Sequence, residues 1–321
     1  MNDRDTLWQI LNHLNLVDVV NCSTVNKLLK EVCDLQYMRL LDEYANVRID
    51  FSTKISYKQI YVAYYELDIF LGKSYNTDLA DFFLFSVTSL KCNYKNIVRL
   101  PESIGQLVSL QELLLECNRI SEIPESIGQL NNLQQLLLGE NLITKLPESI
   151  GQLVNLRELW LNGNKITKLP ESIGQLSNLQ ELWLYDNKIT KIPEWIGRLV
   201  GLQTLWLDEN KITEIPKSIG QLSNLQDLSL SHNQITEIPE SVGQLNNLQN
   251  LSLSHNQITE IPESIGQLNN LRELRLSYNQ IAELPESIGQ LNNLRKLLLC
   301  RNPILNIPES IQRLINCDIL R

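Results

Sequence analysis

The sequence lacks the segments that direct a chain into or across a membrane. It begins MNDRDTLWQI, without a basic stretch followed by an apolar one. No apolar run approaches the ~20 residues that a bilayer requires. We therefore expect an intracellular, cytoplasmic protein with no signal peptide and no transmembrane segment.

Paired cysteines and an excess of positive charge are also missing. The six cysteines are scattered and include no CxxC pair, so free thiols in a reducing compartment are expected. The 28 lysines and arginines are outnumbered by 37 aspartates and glutamates, which gives a net charge of −9. Because nucleic acid and anionic lipid would repel such a chain, neither is expected as a partner.

Proline is absent before position 101 and then becomes periodic. Ten of the eleven prolines follow one another at a strict interval of 23 residues, from Pro101 to Pro308. Read from each proline, the unit is PESIGQLxNLxxLxLxxNxITxI. A fixed period of this length is typical of a repeat protein, in which each unit buries its apolar side against its neighbours.

The repeat unit resembles the leucine-rich repeat family, and its form is similar to that of the intracellular Ras-group members. In LxxLxL, the last two leucines point to the same side of a short strand, and the residue between them points away. The resemblance implies an α/β solenoid, a horseshoe with a parallel sheet on its concave side and a short helical turn, opened by the proline, outside.

One asparagine column resembles the asparagine ladder of this family, whose amides satisfy backbone groups where each strand ends. Its members are Asn118, Asn141, Asn164, Asn187, Asn210, Asn233, Asn256, Asn279 and Asn302. We assign 78–321 to the solenoid, with an N-terminal cap repeat at 78–100 and nine full repeats at 101–307. A C-terminal cap at 308–321 is predicted to stop one strand short.

Three tryptophans hold one position in successive strands, at Trp160, Trp183 and Trp206. They are predicted to lie on the concave surface, about one strand spacing (~4.8 Å) apart. The flanking positions supply Glu158, Glu181, Tyr185, Asp186, Asp208, Glu209, Asp227 and His232. An aromatic stripe rimmed by carboxylates predicts a binding site for a protein target, with a basic target favoured. Alternatively, the tryptophans only pack on one another as cross-strand pairs. A fourth tryptophan, Trp195, replaces a serine of the outer segment and is predicted to be exposed.

No catalytic constellation is evident, so the sequence predicts a protein that is not an enzyme. Gly72-Lys73-Ser74 resembles the end of a phosphate-binding loop, but Leu67 occupies the position of its first glycine. His232 and His255 lie on adjacent coils without an evident third ligand, and we expect no metal and no cofactor.

Residues 1–45 follow another pattern, with three short apolar helical faces. They resemble an F-box, the module through which substrate receptors dock on the Skp-type adaptor of cullin ubiquitin ligases. The family's ILxxL element, its aspartate and its final hydrophobic pair are matched by Ile10-Leu11 with Leu14, by Asp18 and by Tyr37-Met38. The opening Leu-Pro is absent, and Leu29 replaces a tryptophan. The resemblance implies adaptor contacts through Leu7, Ile10, Leu11, Leu14, Leu16, Val25 and Leu29.

Residues 46–77 predict a tyrosine-rich helical linker between the two regions. The arrangement also resembles F-box and repeat proteins carried by large DNA viruses of amoebae, which would place the chain in a host cytoplasm. Two functions remain open. The chain is either an F-box-type substrate receptor that presents a target on the concave face, or a free-standing intracellular scaffold or signalling adaptor whose N-terminal helices only cap the repeats.

Overall fold

The computed structural model describes residues 88–321. The predicted F-box-like domain at 1–45, the linker at 46–77 and the first part of the cap repeat lie outside these residues. The chain divides into two units, one of which holds residues 1–87 with Pro101–Leu107. The described part of that unit contains a 3-10 helix at Glu102–Gln106. The other unit comprises Thr88–Leu100 and Val108–Arg321.

Eleven three-residue strands of the larger unit form one open parallel sheet in chain order. They are β1 Ser89–Lys91, β2 Glu112–Leu114, β3 Gln135–Leu137, β4 Glu158–Trp160, β5 Glu181–Trp183, β6 Thr204–Trp206, β7 Asp227–Ser229, β8 Asn250–Ser252, β9 Glu273–Arg275, β10 Lys296–Leu298 and β11 Asp318–Leu320. Equivalent residues of successive repeats are paired, as in Leu159 with Leu182. The predicted parallel sheet of a leucine-rich repeat solenoid is therefore confirmed.

The outer segments of the larger unit are five-residue 3-10 helices. They lie at Glu125–Gln129, Glu148–Gln152, Glu171–Gln175, Glu194–Arg198, Lys217–Gln221, Glu240–Gln244, Glu263–Gln267, Glu286–Gln290 and Glu309–Arg313. The periodic proline is the extended residue before each helix, and the carbonyl of Pro147, for example, accepts the N–H of Ile150 at 3.2 Å. Because a five-residue segment is too short to stabilise an α-helix, the tighter 3-10 turn forms. Residues 88–321 contain no α-helix, so the α/β description is wrong for this part of the chain.

The core consists of stacked leucines and isoleucines from every repeat. Leu159 and Leu161, which flank Trp160, are both completely buried. The asparagine ladder connects the coils at the end of the strands. Asn187 donates to the carbonyls of Leu161 at 2.9 Å and Leu184 at 3.1 Å. Its Oδ1 accepts the N–H of Ile166 at 3.0 Å, as expected for the ladder.

A second column of asparagines joins neighbouring coils on the exposed side where the chain enters each strand. Asn178, for example, donates from Nδ2 to the carbonyl of Val154 at 2.9 Å. The same bond is made by Asn132, Asn155, Asn224, Asn247, Asn270 and Asn293. These side chains had no predicted role, although their 23-residue spacing was visible in the sequence.

Two local expectations are wrong. The C-terminal cap does not stop one strand short, because Asp318–Leu320 forms β11 and Leu320 accepts the N–H of Leu299 at 2.7 Å. Trp195 is not exposed surface, because only 8% of it is accessible. It packs beside Gly174 of the preceding outer segment, where a Cβ would lie only 3.3 Å from the Trp195 Cβ.

Within residues 88–321, no helix has the length and apolar character needed to span a bilayer.

Candidate protein-binding face

The candidate site lies on the side of the sheet opposite the leucine core, which we call the open face. In each strand from β1 to β10 the middle residue is buried in the core, whereas the first and third residues lie on the open face. In β5, Leu182 is buried and both Glu181 and Trp183 are half-buried. The open face corresponds to the surface that was predicted to be concave.

The three tryptophans form a continuous stack across β4, β5 and β6. The ring centroids of Trp160 and Trp183 are 3.8 Å apart, with planes 5° from parallel. Those of Trp183 and Trp206 are 4.5 Å apart at 23°. Tyr185 adds a tilted ring at 6.4 Å from Trp183 and 6.3 Å from Trp206. The predicted stripe is thus a rigid, half-buried aromatic surface.

Carboxylates lie beside this stack, as predicted. Asp227 accepts the indole N–H of Trp206 at 3.0 Å, and Glu158 accepts an amide N–H of Gln135 at 2.8 Å. Burial and, next, the charge of Glu158 raise the pKa of Glu181, while the indole of Trp160 acts in the opposite direction. The acids beside the stack therefore act in two ways. Asp227 accepts a hydrogen bond from the stack, whereas Glu158 and Glu181 repel each other.

Asp208 is a half-buried carboxylate next to the tryptophan stack. Its Oδ1 accepts the hydroxyl of Ser229 at 2.6 Å and the N–H of Ser231 at 2.9 Å. Burial raises the pKa of this carboxyl, although both hydrogen bonds act to lower it. Keeping Asp208 ionised in the folded protein therefore costs free energy.

The remaining predicted residues lie on one rim of the open face, in the position just before each ladder asparagine. Asp186, Glu209 and His232 all have positive φ angles there, of 52°, 54° and 56°. The rings of His232 and His255 stack at 4.0 Å, and those of His255 and Tyr278 at 4.1 Å. Burial and then the charge of His232 lower the pKa of His255.

A hollow of 620 Å³ opens beside the tryptophan stack. Its floor includes Ser229 and Ser252, and it lies between Trp206 and Arg275. We call it the serine recess. Sequence reasoning missed it, although the tryptophan column itself reads Trp206, Ser229, Ser252, Arg275. Two small side chains follow the large ones in that column and leave the space open.

The far end of the serine recess is occupied by an ion-pair cluster of two cations and one carboxylate. Arg275 donates two hydrogen bonds to Glu273, at 3.0 and 3.1 Å, and Lys296 lies 3.2 Å from the same carboxylate. Arg275 and Lys296 therefore lower the pKa of Glu273, with the hydrogen bond from Arg275 as the largest cause.

Among the described residues, no group of three or more histidine, cysteine, aspartate or glutamate side chains could hold a metal ion. The two histidines stack face to face rather than turning their nitrogens to one point. The predicted adaptor-binding residues, Leu7, Ile10, Leu11, Leu14, Leu16, Val25 and Leu29, lie outside the described range.

Comparison with known proteins agrees with the repeat geometry. A model described as a leucine-rich repeat region matches residues 78–161, 147–232 and 219–275. A second, described as a leucine-rich repeat, matches 270–291. No curated protein sequence matches the chain.

Solved structures give the same result. A leucine-rich repeat protein of Leptospira interrogans is 41% identical with a TM-score of 0.71, over 74% of this chain and 60% of its own. The ectodomain of the Arabidopsis thaliana membrane receptor kinase GASSHO1/SCHENGEN3, in complex with Casparian strip integrity factor 2, is 30% identical with a TM-score of 0.63, over 74% and 33%. The plant peptide hormone receptor RGFR1, in complex with RGF2, is 29% identical with a TM-score of 0.56, over 76% and 49%. The chain thus spans less than two thirds of each of these proteins. With a family model covering most of its length, it belongs to the leucine-rich repeat family.

Proposed function

We propose that this protein is a non-catalytic interaction protein that binds a protein partner on its open face. Leucine-rich repeat proteins generally mediate protein–protein interaction. The observation that carries the proposal here is the stack of Trp160, Trp183 and Trp206 on that face. Stacked rings offer a large contact area that loses little conformational freedom on binding, as hot-spot residues do.

The charges beside the stack favour a basic partner. Glu158 and Glu181 lie on the strands of Trp160 and Trp183, and Asp227 lies on the strand after that of Trp206. No lysine or arginine within residues 88–321 forms an ion pair with any of these three acids. Complementary charge selects among partners and accelerates their association. Two of the similar structures are complexes, of GASSHO1/SCHENGEN3 with Casparian strip integrity factor 2 and of RGFR1 with RGF2, which supports a ligand-binding role.

The binding site is tested by replacing Trp160, Trp183 and Trp206 together with alanine. Wild type and variant are used as baits in a eukaryotic cell extract, the bound proteins are identified by mass spectrometry, and the affinity of a purified partner is then measured. We expect the variant to lose at least ~2 kcal/mol of binding free energy, the scale of a hot spot. Leu114→Ala, a truncation in the same column on β2, is the control. Equal capture by wild type and triple variant would reject the proposal.

We propose further that residues 1–45 dock on the Skp-type adaptor of a cullin ubiquitin ligase, which makes the chain a substrate receptor. Support comes from the sequence, where Ile10-Leu11, Leu14 and Asp18 follow the F-box pattern. Under the alternative, a free-standing scaffold or signalling adaptor, the open face binds the same partner but no adaptor joins it.

The two functions are separated by Leu11→Asp combined with Leu14→Asp in the full chain. A substrate receptor loses adaptor and cullin from the purified complex while its open-face partner is retained. Capture of adaptor by the double variant would reject docking through Leu11 and Leu14, and absence of adaptor from the wild-type complex favours the scaffold. The open-face partner serves as an internal control for folding of the repeats.

A further inference from the structure

We propose that the serine recess binds an arginine side chain of the partner protein, with the guanidinium plane on Trp206 and its N–H groups directed to Asp208 and Asp227. The inference rests on the proposed function of the open face. It names the side chain through which the partner is recognised.

The shape of the recess comes from the end of the tryptophan stack. Trp206 is covered by Trp183 on one side, with centroids 4.5 Å apart. On the other side its position in the sheet pairs with Ser229, and Ser229 pairs with Ser252. The ring face turned to β7 therefore borders the hollow of 620 Å³. Such a volume is within the range of about 300–1,000 Å³ that ligand sites occupy.

The charges of the recess favour a cation at the Trp206 end. Asp208, Asp227 and Glu273 line the recess against one cationic side chain, Arg275. Arg275 and Lys296 both form ion pairs with Glu273. No ion pair within residues 88–321 involves Asp208 or Asp227. The charge of Arg275 still reaches Asp208 and Asp227, but among the described residues neither carboxylate next to the open ring of Trp206 is paired directly with a lysine or an arginine.

A guanidinium suits these groups better than an ammonium. It is planar and weakly hydrated, so it stacks on an indole while its edge still donates several hydrogen bonds to carboxylates. Asp208 gains most from this contact, because its burial raises its pKa and a nearby cation would stabilise its ionised form.

The test uses the full chain and three short probes: acetyl-Gly-Arg-Gly-amide and its lysine and citrulline counterparts. Binding is followed through the indole N–H signal of Trp206 in two-dimensional NMR spectra, assigned by its loss in Trp206→Phe. We expect a saturable shift with the arginine probe, a weaker one with lysine, and affinity reduced about tenfold or more for uncharged citrulline, the loss of one charge-assisted hydrogen bond. Equal responses to arginine and citrulline overturn the proposal without any variant.

Two variants test whether the arginine probe binds in the serine recess. Asp208→Asn should weaken the arginine probe about tenfold, and Ser229→Trp should abolish its binding by extending the stack into the recess. Glu140→Gln makes the same change of charge in the exposed column before the ladder asparagines, away from the recess, and should leave the affinity unchanged. Equal losses for Asp208→Asn and Glu140→Gln would show general attraction to an acidic surface and reject the site.

The proposal for the serine recess and the proposal for the wider open face can be rejected separately. When Asp208→Asn and Ser229→Trp are used as baits for the partner, a supported recess loses the partner in both. If both variants capture it like the wild type while the triple tryptophan variant does not, the recess proposal is wrong and the open-face proposal stands. If the triple variant also captures it normally, the open-face proposal itself is wrong.

Discussion

The indole rings of Trp160 and Trp183 are stacked with centroids 3.8 Å apart, closer than the spacing of about 4.8 Å between the strands that carry them. The rings therefore lean towards each other. The packing interpretation of the tryptophan column is confirmed, and the packed rings form a rigid surface of the kind that the binding interpretation requires. A partner that binds this surface meets side chains whose conformational freedom is already restricted.

Stacking on both sides makes Trp183 more important for stability than Trp160. Trp183 contacts one ring on each side, whereas within the stack Trp160 contacts Trp183 alone. Each aromatic pair contributes about 0.5–1.5 kcal/mol beyond the burial of area. Trp183→Ala should therefore lower the free energy of unfolding by more than Trp160→Ala, by about one such pair. Urea denaturation measures both, and equal losses would show that the stack adds nothing to burial.

The sheet and the ladder were predictable because both depend on period alone. Leu159 and Leu161 flank Trp160 in a strand, so their burial follows from alternation. One asparagine per 23 residues similarly predicts one amide per coil. The short helical turn opened by the proline was also predictable. Its type was not, since a proline followed by five helical residues reads the same for an α-turn and a 3-10 turn. Trp195 was misjudged because its burial depends on Gly174 in the neighbouring coil.

The serine recess could not be located from single residues, because it is defined by what is missing. Ser229 and Ser252 are unremarkable alone, and only the register that sets them beside Trp206 shows that two indole-sized spaces are empty. The hydrogen bond from the Trp206 indole to Asp227 also depends on side-chain geometry, which the sequence does not give. By contrast, the acidic character of the face was visible in the sequence.

The two asparagine columns should differ sharply in their contribution to stability. Asn187→Ala leaves the buried N–H of Ile166 without its acceptor. It also removes one of the two amide donors to each of the carbonyls of Leu161 and Leu184, which keep the bonds from Asn164 and Asn210. One unsatisfied buried group costs about 1–3 kcal/mol and each lost hydrogen bond adds about 1 kcal/mol, so a loss of at least ~2 kcal/mol is expected. Asn178→Ala removes an exposed bond and should cost within about 0.5 kcal/mol. Similar unfolding midpoints for the two variants would contradict this assignment.

Close packing of the outer segments predicts opposite effects at two residues in contact. A Cβ on Gly266 would lie 2.6 Å from the Ser287 carbonyl oxygen, so Gly266→Ala should destabilise by about 1–3 kcal/mol through overpacking. The buried hydroxyl of Ser287 has no hydrogen-bond partner among the described residues. Ser287→Ala removes that unsatisfied group and should be neutral or stabilising. Thermal unfolding of the two variants checks the prediction, and it fails if Ser287→Ala is the more harmful change.

Asp208 provides a test in which stability and binding move in opposite directions. Because burial raises its pKa in the folded protein, ionisation is less favourable there than in the unfolded chain. This penalty is complete above the folded pKa and disappears below the unfolded value of about 3.9. Asparagine can still accept the bonds from Ser229 and Ser231. Asp208→Asn should therefore raise the urea midpoint at neutral pH, with the gain fading as the pH falls through this window.

Glu273 is the control, since Arg275 and then Lys296 lower its pKa. Its ionised form stabilises the fold above the unfolded pKa of about 4.3, and this contribution is lost as the pH falls through the folded value. Glu273→Gln should accordingly be destabilising at neutral pH and lose its effect in acid, opposite in sign to Asp208→Asn. If Asp208→Asn instead lowers the midpoint at neutral pH, the carboxylate stabilises the fold. A stabilised variant that binds arginine less tightly would show that Asp208 is retained for binding at the expense of stability.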